Sequence, residues 1–318
     1  MNEMPTGPLD LAIVIVNYNT SALLRDCLQS VFASSGDLAT GVCVVDNASP
    51  DDSVAVTRRD FPQVRLIANQ ANVGYPAANN QGLRHFGFRA EAASPGPAGG
   101  VAALPRFALL LNPDTVLPPG ALAQMVAFLE KHPEAGVAGP KLVRLDGTLD
   151  KACYRSFPTP DSSLWHLLQL DRAFPRSPRF GRYNLTFMDP DQVAKVDAVV
   201  GAFMMVRREA IAQAGLLDEQ FFMYGEDLDW AKRITDAGWE VWYNPRVQVT
   251  HIKAAASRHS YKARVEFYRA MDIFYRKHYR AETPFYLDWA IRGGVSVFGG
   301  LDLAARRLRG QYRKGAAA

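Results

Sequence analysis

Cysteine is scarce. Cys27, Cys43 and Cys153 are widely spaced and odd in number, and no two stand at a zinc-ligand separation. This argues against a disulfide framework and a structural zinc site. Cys27 and Cys43 lie in apolar patterns and are expected as buried thiols of a reducing compartment. Long apolar runs are missing as well, and none approaches a membrane span. The opening MNEMPTGPLD has neither a basic start nor an apolar stretch, so no signal peptide is expected and a cytoplasmic location is. Charge of one sign is modest: 36 Lys and Arg against 32 Asp and Glu leave +4. The basic residues are scattered or terminal, and no nucleic-acid partner is expected. Two phosphate-binding signatures are absent. The loop after the first apolar run, NYNTSALLR, is neither a dinucleotide glycine fingerprint nor a Walker-type loop.

What is present is a 48% hydrophobic chain, enough for a sizeable core. LAIVIVN (11–17) reads as a strand buried on both faces. Thr20 is placed as the N-cap of a helix over SALLRDCLQSVF. GVCVVD (41–46), VRLIAN (64–69), RFALLLN (106–112) and AGVAGPKLV read as further strands. Helices are expected after ASPDDS, from Pro76 to Phe88, and over PPGALAQMVAFLEKH with proline at its start. This alternation predicts an α/β fold with a mostly parallel sheet, whose sites lie at the carboxyl ends of its strands. Residues 91–105 read as a surface insertion. Residues 154–193 are proline-punctuated and without period, and fit either a substrate loop or a variable connection. DAVVGAFMMVRREAI reads as strand then helix, GEDLDWAKRITDAGWE as a helix closed by Gly238, and VWYNPRVQVTHI as strand, turn, strand. Helices are expected over 260–279 and 285–314.

The strand ends share one bias. They carry Asn17, Asp46, the stretch NQANVGY with Asn72 and Gly74, and NPD with Asn112 and Asp114. Ordinary turn chemistry explains any one of them. All four together predict a shared ligand-binding edge. Asp46 is placed to accept hydrogen bonds from a base or a sugar. Without a glycine loop, a pyrophosphate here needs another counter-charge, and Asp114 is placed to hold magnesium or manganese against its oxygens. Glu226, Asp227 and Asp229 open a helix, where its dipole favours carboxylates. Three acids in four residues nevertheless repel, unless a cation or substrate offsets them, and one of them is a candidate general base. His251 closes an apparent strand.

These segments, in this order, resemble family 2 glycosyltransferases, the inverting enzymes of GT-A fold, and among them the rhamnosyltransferase-like branch. The matching stretches are IVIVNYNTSALLRDCLQSV, VVDNASPDDS, NVGYPAANNQGLR, LLLNPDTVLPPGAL, VVGAFMMVRREAI, GLLDEQFFMYGEDLDWAKRITDAGW and VTHIKAAAS. The resemblance implies a GT-A domain over 1–258 and a helical extension over 259–318. It implies that Asn17, Asp46, Asn72, Gly74, Asn112 and Asp114 bind the nucleotide sugar. Asp114 and His251 would hold Mn2+ or Mg2+, and Asp227 would be the catalytic base with Glu226 beside it. The implied reaction moves a sugar, L-rhamnose from dTDP-rhamnose as the best match, to a hydroxyl of a glycan or polyprenyl-diphosphate-linked acceptor in cell-envelope polysaccharide synthesis. The alternatives are another donor such as a UDP-hexose, or a sugar-nucleotide nucleotidyltransferase. A non-catalytic glycan-binding module is a third reading, opposed by retention of Asp114, Asp227 and His251. Two positions depart from the family pattern. Asn112 replaces the first acid of a DXD motif, and Ala198 stands where relatives often carry Trp.

The C-terminal stretch AIRGGVSVFGGLDLAARRLRGQYRK mixes an apolar face with Arg306, Arg307, Arg309, Arg313 and Lys314. It fits a helix lying peripherally on the inner face of the plasma membrane, or equally a solvated helix end.

Overall fold

A computed structural model describes residues 8–89, 104–253 and 261–308. The insertion expected at 91–105 therefore falls almost wholly outside the described residues, as do Arg309, Arg313 and Lys314.

The chain runs β1 (Leu11–Asn17), α1 (Ser21–Ser34), β2 (Thr40–Asp46), α2 (Ser53–Asp60), β3 (Arg65–Ala68), α3 (Tyr75–His85), β4 (Phe107–Leu111) and β5 (Thr115–Val116). It continues through α4 (Ala121–Lys131), β6 (Ala135–Val143), β7 (Tyr154–Arg155), α5 (Pro160–Leu167), α6 (Leu170–Ala173), β8 (Ala194–Val196), β9 (Ala198–Val199) and β10 (Phe203–Arg207). It ends with α7 (Arg208–Ala214), α8 (Glu226–Asp236), β11 (Glu240–His251), α9 (Tyr261–His278) and α10 (Phe285–Leu308). The main sheet is ordered β3-β2-β1-β4-β10-β6-β11-β5, with β8 paired to β11. β3, β2, β1 and β4 run parallel, while β10 enters antiparallel to both neighbours.

Every residue of β1 is buried, as its unbroken apolar run requires of a strand covered on both faces. Helix α3 lies against it where Gly82 leaves room. A Cβ there would stand 2.4 Å from Cγ1 of Val14. The register aligns Asn17 with Asp46, and Ile15 with Leu111 just before Asn112. The carboxyl ends of β1, β2 and β4 thus form one edge, at the point where strand order reverses.

One expectation is refined and two are corrected. Thr20 holds the N-cap position of α1, but its side chain makes no cap bond: its hydroxyl donates to Asn17 Oδ1 (2.6 Å), and the N–H of Ser21 is taken by Asp51 Oδ2 (2.9 Å) from the next loop. Helix α4 begins at Ala121, after Gly120 in the left-handed region, so both prolines precede it. VWYNPRVQVTHI is one strand, β11, not two. Its register shifts between Asn244 and Gln248, because Pro245 has no N–H to give the ladder, and Asn244 Oδ1 accepts from the N–H of Arg246 (3.2 Å) instead.

Residues 154–193 form β7, α5, α6 and turns, with β7 antiparallel to β9 in a small second sheet. All three cysteines are free and buried.

Candidate functional site

The floor of the edge is built from Asn17 and Asp46, both nearly closed to solvent. Asn17 Nδ2 donates to Asp46 Oδ1 (2.8 Å), as does the Ser49 hydroxyl (2.6 Å), while the Ser49 N–H donates to Oδ2 (2.9 Å). Asn17 is fully buried, and its amide also takes the Thr20 hydroxyl. Its amide thus braces Asp46.

The neighbouring wall is the loop before α3. Asn72 Oδ1 accepts from the N–H of Gly74 (3.0 Å), and the Gly74 carbonyl takes Asn47 Nδ2 (3.2 Å). Gly74 has φ +90, and a Cβ there would lie 2.7 Å from the Phe222 carbonyl oxygen, so glycine is required. That carbonyl accepts the N–H of Tyr75 (2.8 Å), tying the loop to the approach to α8.

Past β4, Asp114 and His251 converge. His251 Nε2 lies 3.4 Å from Asp114 Oδ1, and the N–H of Ile252 donates to the Asp114 carbonyl (2.8 Å). The strand pairing β11 with β5 sets this, placing His251 opposite Thr115. Behind the imidazole, buried Asp150 meets Nδ1 at 2.9 Å and accepts Lys253 Nζ at 2.6 Å. Burial opposes charge on His251, but its bonds to Asp114 and Asp150 outweigh this and push its pKa up to about 9. Asp150 is held well below the usual carboxylate range: burial works against this, and His251 and Lys253 prevail.

Among the described residues, no group of three or more His, Cys, Asp or Glu is gathered as a metal cluster. The donor set still fits a divalent cation that shares its shell with a substrate, with the cation displacing the proton that Asp114 and Asp150 favour on the imidazole. Nδ1 is committed to a carboxylate, which leaves Nε2 to face Asp114, the arrangement typical of a metal-ligating histidine.

The three acids of α8 meet three different fates. Asp229 is fully buried and ringed by cations: Arg233 (2.9 Å), Lys277 (2.9 Å) and His278 (2.8 Å). Burial raises its pKa, but His278, Arg233 and Lys277 bring it down to about 2. Asp227 Oδ2 accepts from Arg155 Nη2 (3.1 Å) and from the N–H of Gly201 (3.1 Å). Glu226 has a buried Oε2 without a hydrogen-bond partner. Burial first, and Asp227 second, push its pKa up to about 8. Two adjacent carboxyls thus sit in different environments: Asp227 is ion-paired and hydrogen-bonded, and Glu226 is buried with one oxygen that has no partner.

Tyr75 joins the two halves. Its hydroxyl lies 3.1 Å from Asn112 Oδ1 and 3.0 Å from the Gly201 carbonyl, while the N–H of Asn112 donates to the Ala202 carbonyl (3.0 Å). One hydroxyl hydrogen cannot serve two acceptors. With the Asn112 amide turned, Nδ2 donates to the hydroxyl, which then donates to Gly201, and both are satisfied. A carboxylate at 112 cannot do this, which gives a reason for Asn at a DXD position.

Sequence reasoning missed Asp150, Arg155 and Tyr75. Arg155 stands opposite Ala198 in the β7–β9 ladder and supplies the side chain that reaches the acidic cluster there. It lies in the aperiodic 154–193 stretch, and only the return of β9 brings it to α8. Tyr75 stood inside a matched motif and was readable as a hydroxyl at the start of a helix.

A mostly parallel sheet whose polar carboxyl edge brings together Asp46, the Asp114–His251 pair and the ion-paired Asp227 is the arrangement of a GT-A architecture. The mannosyltransferase PcManGT of Pyrobaculum calidifontis, solved with GDP-Man and Mn2+, is similar in fold. Its TM-score is 0.54 at 18% identity, covering 86% of this chain and 65% of that one. GalNAc-T7, solved with UDP, GalNAc and Mn2+, gives 0.54 at 14% identity, covering 92% and 55%. The chain spans less than two thirds of either solved protein. In sequence, the N-acetylglucosaminyl-diphospho-decaprenol L-rhamnosyltransferase of Mycobacterium tuberculosis (strain CDC 1551 / Oshkosh) is 28% identical over 305 residues, 96% of each chain. The family model Glycosyltransferase like family 2 matches residues 8–268, and the chain belongs to that family.

Proposed function

We propose that this glycosyltransferase moves L-rhamnose, with inversion, from dTDP-rhamnose to a hydroxyl of a lipid-diphosphate-linked glycan at a membrane surface. The observation that carries the transfer chemistry is the linkage of Asp114–His251 to Asp227 across one sheet edge, through Asn112, Tyr75 and Gly201. The donor and acceptor are supported by the rhamnosyltransferase relative, whose name specifies L-rhamnose and an N-acetylglucosaminyl-diphospho-decaprenol substrate.

In this reading Asp46 and the Asn72–Gly74 loop hold the nucleoside, with Asn17 fixing Asp46 from behind. Asp114 and His251 hold a divalent cation, manganese or magnesium, as the Mn2+ complexes of fold neighbours suggest. Such a cation, when bound, offsets the charge gathering on the leaving diphosphate. Asp227 takes the proton of the acceptor hydroxyl as its oxygen attacks the anomeric carbon from the face opposite the leaving group. Arg155 and the N–H of Gly201 keep that carboxylate aimed. Glu226 remains neutral near pH 7, so a second anion does not compete beside it.

The test is a panel of nucleoside-diphosphate sugars with a short-chain diphospholipid acceptor, read by nucleoside diphosphate release. Turnover greatest with dTDP-rhamnose is expected. A UDP-hexose preferred over it would overturn the donor, and pyrophosphate exchange without sugar transfer would overturn the reaction.

A further inference from the structure

We infer that α10 is an in-plane membrane helix whose outer face docks on an anionic lipid bilayer. The inference gains its purpose from the lipid-linked acceptor proposed above, but its observations are independent of the transfer site.

Helix α10 is built inside out. Four of its five charged side chains, all but the exposed Arg307, are ion-paired with α9, with the turn after α9 or with one another: Asp302 pairs with Arg264 of α9 (2.6 Å) and with Arg306 (2.8 Å). Arg292 faces Asp272 of α9 (3.5 Å), and Asp288 faces Arg280 (3.5 Å). Gly299 makes the close approach to α9, where a Cβ would stand 3.0 Å from the Tyr268 ring. The opposite side is apolar and open. Tyr286, Val297, Leu301 and Leu308 are 61%, 60%, 62% and 90% exposed, and Trp289 is 81% exposed. Positions 286, 290, 297, 301 and 308 are spaced by four and seven, so they share one stripe. From Gly293 to Leu301 the helix carries no charge at all. A helix surrounded by water shows the reverse arrangement, and a contiguous apolar face of this kind marks a surface that is covered in use.

The cover is a bilayer rather than a second copy. Residues 261–308 contain nine Lys and Arg against five Asp and Glu, an excess equal to the +4 of the entire chain. Two copies of so basic a hairpin repel, whereas an anionic headgroup layer attracts it. Tyr286 and Trp289 are of the aromatic type that settles at the headgroup level. The helix lies on the surface and does not cross it, since no helix of the described residues is long and apolar enough to span.

The test is flotation of the full chain with vesicles of phosphatidylglycerol and phosphatidylcholine, against phosphatidylcholine alone, with no donor or acceptor present. Binding to the anionic vesicles is expected. The double variant Val297→Glu, Leu301→Glu should lose that binding by about tenfold or more, with transfer to a short-chain, water-soluble acceptor unchanged. Absence of vesicle binding by the unaltered chain overturns the inference. So does undiminished binding by the variant, or a solution dimer that the substitutions break. Should the double variant misfold, brominated lipid replaces it as the probe. Quenching of fluorescence that Trp289→Phe removes supports docking, and quenching unaffected by that change refutes it. Failure of transfer to the short-chain acceptor by the unaltered chain sinks the proposed reaction and leaves the vesicle result standing.

Discussion

At the scale of single residues, the α8 acids are separable by experiment because each sits in a different environment. Asp227→Asn should lower transfer by about 10²–10⁴-fold, the contribution of a positioned base, with donor affinity retained by titration. Glu226→Gln imitates the neutral form and should cost far less near pH 7. The same substitution tests the pKa. Between the ordinary 4.5 and about 8, the folded protein keeps a proton on Glu226 that the unfolded chain has released. Stability must therefore fall as pH rises through that window. Urea melts of Glu226→Gln should show a shallower fall than the unaltered protein, and parallel curves would refute the buried, neutral carboxyl. Asp150 calls for a different readout. It holds the far side of His251, so Asp150→Ala should weaken Mn2+ binding by about 10–100-fold, measured by the spin resonance of free Mn2+. Unchanged affinity would leave Asp150 a partner of Lys253 alone.

At the scale of elements, Asp229 is a clasp between α8 and α9 rather than part of the chemistry. Its cations come from α8 itself and from Lys277 and His278 of α9. Asp229→Asn should destabilise the fold by about 3–5 kcal/mol, as expected when one side of a buried ion cluster is removed. The stability Asp229 contributes is present above 3.8, its ordinary pKa, and is lost as pH falls toward about 2. Acid melts of the two proteins should converge in that range.

Legibility followed the range of the forces involved. β1, β2 and β4 were readable because a strand covered on both faces must be apolar throughout. The direction of β10 was not readable, because a short apolar run such as Phe203–Val206 has no polarity of its own. Asp114 and His251 were readable as strand-end residues, since strand pairing alone brings them together. Asp150 and Arg155 were not: a β-bridge from Val143 to Leu149 and the β7–β9 ladder deliver them from segments without period. Thr20 was readable as the N-cap position but not its side-chain bond, because the N–H of Ser21 is taken by Asp51 from the next loop.

At the scale of the whole molecule, two charge patterns serve two different ends. The acids of the sheet edge are held by close partners: Asp46 by Asn17 and Ser49, Asp227 by Arg155, and Asp114 beside His251. The basic excess is gathered on the α9–α10 hairpin, which α9 fastens to the catalytic half through Asp229. Strong coupling on one side and surface attraction on the other make one quantity diagnostic, the salt dependence of transfer. Attraction between exposed Arg or Lys and an anionic bilayer is screened within about 8 Å at physiological ionic strength, whereas buried pairs such as Asp229–Lys277 are screened much less. Raising NaCl from about 0.05 to about 0.5 M should therefore lower the rate on an acceptor embedded in anionic vesicles and leave the rate on a short-chain acceptor nearly flat. Equal losses on both acceptors would place the salt-sensitive step at the donor diphosphate, and the hairpin would then have no part in bringing the enzyme to its acceptor.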